Sequence, residues 1–367
     1  MSLNNSNLIV SAVYINLIIY TYQGKTLKKR GETVSENKKT EVFQFDGEPP
    51  LKYLDKLERH NQPVKVSYEG NILHLQQMAQ MNLEPQIKVI SGEEYVLLKT
   101  GEILQFEHKE NRADDGYISL RRTFRNLRAI LNTNCTEPKN CKWVTLTYAK
   151  NMTDSKKLQS DCKNFLTRLR QKYSEYSIEY INIAEPQGRG AWHCHIVLIF
   201  ERTAPFIPND VIWQCWSPKG YKAKLKDCIG YDYTSIKKLD DVDNVGAYLT
   251  AYLGDLPLSD AQSLDMDTSK YKIKVIEGEN GQPKRILKGA RLSLYPSKFN
   301  LYRCSRGIKK PVQELLPLVE AEKKASAATL TFDRTYLLSK SETLCSDEDL
   351  INIIRQRYYN TKRIKKQ

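Results

Sequence analysis

The chain has 367 residues, 40% of them hydrophobic, and a formal net charge of +14 at pH 7. That length holds two or three domains with a real core, and the basic excess favours a polyanionic partner, either nucleic acid or an anionic surface. Its eight cysteines (135, 141, 162, 194, 215, 228, 304 and 345) form no CxxC pair and no regular framework, which excludes a CxxC zinc site and points to reduced thiols in a cytoplasmic setting.

Taken in chain order, the apolar run Leu8 to Tyr20 lacks a basic stretch before it, is interrupted by Ser11 and Asn16, and is too short to span a bilayer. It reads as buried β-structure, and no membrane association is expected. "QGKT" at 23–26 fails as a phosphate loop, because the first glycine of that motif would fall on Ile19. No other such stretch occurs, so the chain is expected to lack its own ATPase or helicase. Residues 1–112 alternate short β-like runs such as "PVKVSYEG" and "EEYVLLKT" with charged turns, and form a smaller N-terminal module without legible chemistry. "ENRADDGY" at 110–117 is a polar linker.

Residues 119–134 place Leu120, Phe124, Leu127 and Leu131 at helical spacing, with Arg121, Arg122, Arg125 and Arg128 on the other faces. These arginines are either a solvated face or phosphate contacts, and the overall charge tips the reading toward DNA. "KWVTLTYA" (142–149) reads as a strand. Asp154 caps a helix over 155–173 with Leu158, Cys162, Phe165, Leu166 and Leu169 inward. Then come strand "YSIEYINIAE", turn "PQGRG" and strand "AWHCHIVLIF", the two strands forming an antiparallel hairpin.

Alternation puts His193 and His195 on one face of their strand and Cys194 on the other. Hairpin closure brings Glu185 beside both imidazoles. Two imidazoles and a carboxylate make a three-ligand site with open positions for a divalent ion; the competing reading is two ordinary histidines on a half-buried strand. Arg189 in the turn is a phosphate contact or a solvated turn residue. The segment 205–227 interleaves Trp213, Trp216 and Tyr221 with lysines, which suits base stacking or core packing. A helix over 243–255, started by Asp243 or Asn244, puts Tyr248 and Tyr252 on one face, a spacing that core packing also produces. Leu350 to Gln367 reads as a basic helix within a C-terminal extension, 313–367.

"WVTLTY", "EPQGRGAWHCH" and "YLTAY", in that order, resemble the HUH endonuclease superfamily, nearest to rolling-circle replication initiators of bacterial plasmids and phages. The resemblance covers about residues 115 to 312. It implies an α+β fold, an antiparallel sheet of about five strands flanked by helices in a domain over 113–312. It also implies Mg²⁺ or Mn²⁺ held by His193, His195 and Glu185, and attack by Tyr248 or Tyr252 on single-stranded or supercoiled origin DNA. The product would be a 5′-phosphotyrosine and a free 3′-hydroxyl, with host helicase and polymerase as partners. A phenol with pKa ~10 needs a nearby cation to act at neutral pH. Many relatives carry a lysine before the second tyrosine, where this chain has Ala251; Lys237 and Lys238 are the candidates to replace it. A relaxase or transposase shares the chemistry, but relaxases place the tyrosine before the histidines. A non-catalytic DNA- or RNA-binding protein and a structural zinc scaffold are the readings from other classes. Oligomeric state is open.

Overall fold

A computed structural model describes residues 21–22, 39–44, 55–57, 63–81, 85–106, 117–148, 151–187, 190–217, 234–239, 244–246, 254–271, 273–277, 282–287, 289–296, 299–339 and 350–364. They divide into two units, one built on Thr123–Pro311 and the other on Leu17–Arg122 together with Val312–Gln367. The early strands are β1 (Thr21–Tyr22), β2 (Lys39–Gln44), β3 (Val64–Glu69) and β4 (Ile72–Met78). A small antiparallel sheet follows: β5 (Ile87–Val89), β6 (Glu94–Leu97) and β7 (Ile103–Gln105).

The Thr123–Pro311 unit carries the histidines. After α1 (Tyr117–Asn134) come β8 (Cys141–Thr147), α2 (Ser155–Lys172), β9 (Ile178–Pro186), β10 (Trp192–Phe200), α3 (Asn209–Trp216) and β11 (Thr234–Lys238). Next are β12 (Leu256–Pro257), α4 (Leu258–Ser263), β13 (Ile273–Glu277), β14 (Pro283–Leu287) and β15 (Tyr302–Cys304). Five strands form one antiparallel sheet in the order β11-β8-β10-β9-β15, with the histidine strand in the middle. Strands β12, β14 and β13 make a separate three-stranded sheet.

Helices cover both faces of the five-stranded sheet. On one, α2 turns Leu158, Cys162, Phe165, Leu166 and Leu169 inward, the spacing of a helix with a single apolar stripe. Asp154 caps it, its carboxylate accepting from the Lys156 and Lys157 amides at 2.8 and 3.2 Å. Cys162 meets the buried Cys194 of β10, sulfur to sulfur at 2.9 Å. Trp213 and Trp216 of α3 are buried on this side, and Trp216 edges onto Phe165. Core packing is therefore the role of both tryptophans; Tyr221 lies outside the described residues. On the histidine face, Leu127 and Leu131 of α1 pack with Ile181, Ile183 and Val197. Each such fully buried aliphatic side chain contributes about 1.5–3 kcal/mol.

The other unit is completed by β16 (Val312–Leu316), α5 (Leu318–Ala325), β17 (Ala328–Ser339) and β18 (Leu350–Ile364). Its sheet runs β1-β2-β17-β18-β4-β3-β16, with Ala321 and Ala325 of α5 packed on Val64, Val66, Leu73 and Leu75. This corrects two expectations. Residues 350–364 are a strand, not a helix, and they pair with β4 as well as β17. The physical reason is composition and burial: the segment is rich in Ile, Tyr and Thr, which favour a pleated surface. Five consecutive residues from Gln356 to Asn360 are buried, as both faces of an interior strand are. Residues 313–367 are likewise no free extension, since three of the seven strands come from them. No helix among the described residues is long and apolar enough to cross a membrane.

Candidate active site

The hairpin between β9 and β10 fixes the site. Gln187 N–H donates to Ala191 O at 2.6 Å and Gly190 N–H to Gln187 O at 2.9 Å. Gly190 adopts φ +77°, a conformation glycine takes without steric cost. At the base of β10, Trp192 donates its indole N–H to Thr153 O at 3.0 Å and stacks on Phe299. With the turn closed, His193 lies directly opposite Glu185, and His195 opposite Ile183. Paired residues of an antiparallel ladder share a face, so register alone brings His193, His195 and Glu185 together, as the sequence predicts.

The hydrogen bond runs along the diagonal. His195 Nε2 meets Glu185 Oε2 at 2.5 Å, and His195 Nδ1 meets the Thr145 hydroxyl at 3.1 Å. An ionised carboxylate can only accept, so Nε2 carries the proton and Nδ1 accepts from Thr145. Trp143 stacks on the His195 ring at 4.9 Å, and the two histidine rings lie 6.1 Å apart.

Glu185 is the most constrained group of the site. Arg291 Nη1 lies 2.5 Å from its Oε1, so each carboxylate oxygen has its own partner. Burial alone would raise the Glu185 carboxyl. The charge and hydrogen bond of His195, followed by Arg291 and His193, outweigh burial and hold it at about 2 against an ordinary 4.5. Arg291 also donates from Nη1 to Pro186 O at 2.7 Å and from Nε to Asp255 O at 2.9 Å. Sequence reasoning missed it: no motif marks Arg291, and its partner Glu185 is 106 residues earlier in the chain.

The tyrosine-bearing segment is held at both ends. Val245 packs with Leu127 and Leu131 in the core under the histidine face, and Gly246 N–H donates to Asn132 Oδ1 at 2.7 Å. A Cβ on Gly246 would come within 2.3 Å of Arg128 O, so only glycine permits this approach. At the other end Gly289 N–H donates to Asp255 Oδ1 at 3.1 Å, and Arg291 N–H to Gly254 O at 3.2 Å. Tyr248, Ala251 and Tyr252 themselves lie outside the described residues, as does Arg189. Two nearer tyrosines are committed elsewhere. Tyr295 is fully buried and donates to Ala184 O at 3.1 Å; Tyr148 donates to Asp161 Oδ2 at 2.8 Å. Burial raises the pKa of both hydroxyls, with help from Glu185 and Asp161 respectively.

The remaining sequence candidates are sorted by register. Lys237 pairs with Trp143 and so shares the histidine face, whereas Lys238 pairs with Lys142 on the opposite face. Burial, then the Lys238 charge, lowers the Lys142 ammonium. Along α1, Arg122 is exposed, Arg125 half-buried and Arg128 buried; the side chain of Arg121 is outside the described residues. Arg128 thus serves packing beneath Gly246 and not a solvent-facing basic stripe.

The donor chemistry of His193, His195 and Glu185 suits a divalent ion, and the Thr145 hydroxyl can serve either tautomer of His195. Among the described residues no three His, Cys, Asp or Glu side chains are grouped closely enough to hold a metal as they stand. Binding would exchange the His195–Glu185 hydrogen bond for bonds to the ion.

No curated protein and no solved structure matches the chain. Residues 141–256, which run from the first residue of β8 through the histidine hairpin and the tyrosine segment to β12, match the family model for replication-associated proteins of the ORF2 and phage gene-two-protein kind.

Proposed function

We propose that the chain is a replication initiator that nicks one DNA strand at an origin and remains joined to it through a tyrosine. The observation that carries this reading is the convergence of two histidines and a charged carboxylate on one sheet face, the face whose core also takes in Val245 at the start of the tyrosine segment. The match of residues 141–256 to a replication-associated family supports it, as does the charge of +14.

His193, His195 and Glu185 would hold Mg²⁺ or Mn²⁺. Such an ion offsets charge on a non-bridging oxygen of the scissile phosphate. The hydroxyl of Tyr248 or Tyr252 attacks phosphorus, forming the Oη–P bond as the P–O3′ bond breaks. Net, the phenolic proton ends on the 3′ oxygen, leaving a 3′-hydroxyl that can prime synthesis. The phosphotyrosine linkage conserves the energy of the broken bond, so strand transfer at termination needs no nucleotide. Trp143 and Thr145 fix the ring of His195. Lys237 adds a cation on the same face.

The test is an adduct assay with single-stranded DNA from the cognate replicon and Mn²⁺, read by denaturing gel and peptide mapping. The expected result is a metal-dependent adduct on Tyr248 or Tyr252, abolished in His193→Ala. The closed Arg291–Glu185–His195 network favours a second reading, non-catalytic nucleic-acid binding with structural histidines. That reading expects salt-dependent binding without metal dependence, and intact binding with no adduct would establish it over the first.

A further inference from the structure

We propose that Arg291 is a positioning residue that ties the metal-side carboxylate to the tyrosine segment, an assignment that rests on the nickase reading. Arg291 is buried, and its guanidinium meets three acceptors on two separated stretches of chain: Glu185 Oε1, Pro186 O and Asp255 O. With those partners filled, it is a strut and not a group free to bind a phosphate. Its contact with Oε1 leaves Oε2 as the oxygen that faces His195. Its bond to Asp255 acts three residues beyond Tyr252, and three residues of chain span at most about 11 Å. One side chain therefore sets both the orientation of Glu185 and the distance over which Tyr252 can range. Arg291 lies beyond the stretch matched to the replication-associated family.

Arginine is required for this role because a planar fork donates in several fixed directions at once, whereas lysine supplies only a compact charge. Arg291→Lys keeps the counter-charge of Glu185 and loses the tie to Asp255; Arg291→Gln loses both. Two readouts separate positioning from bulk stability. The first is amide exchange of residues 250–257 in the full chain without metal. The second is the ratio of Tyr252 to Tyr248 adducts on cognate single-stranded DNA with Mn²⁺, taken at a temperature where near-UV circular dichroism shows each variant folded.

Arg291→Lys is expected to speed exchange of 250–257 about tenfold or more, the equivalent of one lost charge-assisted hydrogen bond, while exchange in α2 stays unchanged. The adduct ratio is expected to fall by a similar factor. Unchanged exchange in both variants overturns the proposal, and so does faster exchange with an unchanged ratio. If Arg291→Gln does not fold, Arg291→Lys alone decides. A wild-type chain that forms no adduct overturns the nickase reading itself. A normal wild-type adduct with indifferent variants overturns only the role of Arg291.

Discussion

Replacing Glu185 by Gln tests the electrostatics of the site without any DNA. In the folded chain the carboxyl is held at about 2 against 4.5, its charge favoured by His195 and Arg291 at 2.5 Å each. A depressed carboxyl contributes stability that is full above its unfolded value and is lost as pH falls through the folded one. The contribution is about 3 kcal/mol at pH 7, falls to roughly 1.5 at pH 3, and is nearly gone at pH 2. Glutamine, which cannot ionise, lacks it throughout. The wild type should therefore exceed Glu185→Gln by about 3 kcal/mol at pH 7, and the gap should close as the acid limb is crossed. Truncating one partner of a buried pair costs a similar ~3–5 kcal/mol, so the two routes agree. The assay is urea unfolding from pH 3 to 7 followed by tryptophan fluorescence. All four tryptophans (143, 192, 213 and 216) belong to the Thr123–Pro311 unit, so the signal reports the unit that holds the site. A gap of the same size at pH 3 and pH 7 would refute the reasoning, since the loss would then be one of shape and not of charge.

Register separates the two lysines of β11. Lys237→Ala should weaken single-stranded DNA binding several-fold and reduce the dependence of log affinity on log salt by about one contact's worth, while Lys238→Ala should leave both unchanged; equal effects would show that the histidine face is not the DNA face. Gly246→Ala should destabilise the same unit by about 1–3 kcal/mol in urea, because its Cβ meets Arg128 O at 2.3 Å and must displace α1. Asp154→Ala should cost about 1 kcal/mol through loss of the α2 cap, with no change in DNA affinity measured by fluorescence anisotropy.

The hairpin and α2 were legible in the sequence because the forces that build them are local. Asp154 just ahead of the first inward leucine, apolar residues at 158, 162, 165, 166 and 169, and a glycine-bracketed turn between alternating strands each state their structure within a few positions. Once the turn is placed, period-two alternation does the rest, and the meeting of Glu185 with both histidines needs no further information. The C-terminal strand failed for the opposite reason. Residues 356–360 are polar and aromatic, and they are buried only because β4 and β17 flank them, the former nearly three hundred residues earlier. Nothing within 350–367 distinguishes that environment from an exposed basic helix.

Arg291 shows the same limit inside the site. Its value comes from holding two stretches of chain together, the end of β9 and the start of β12, and a residue that acts by bridging carries no spacing to read. The histidines could be found because metal-ligand chemistry demands particular side chains at particular intervals on one strand. The requirement on Arg291 is only that a rigid multi-donor cation arrive at one point in space, from any place in the sequence. Sites of this kind are therefore expected to reveal their ligand residues from sequence and to hide the side chains that orient them, which is why substitution of Arg291, and not of another histidine-face residue, is the sharper test of how the carboxylate and the tyrosine segment are kept in register.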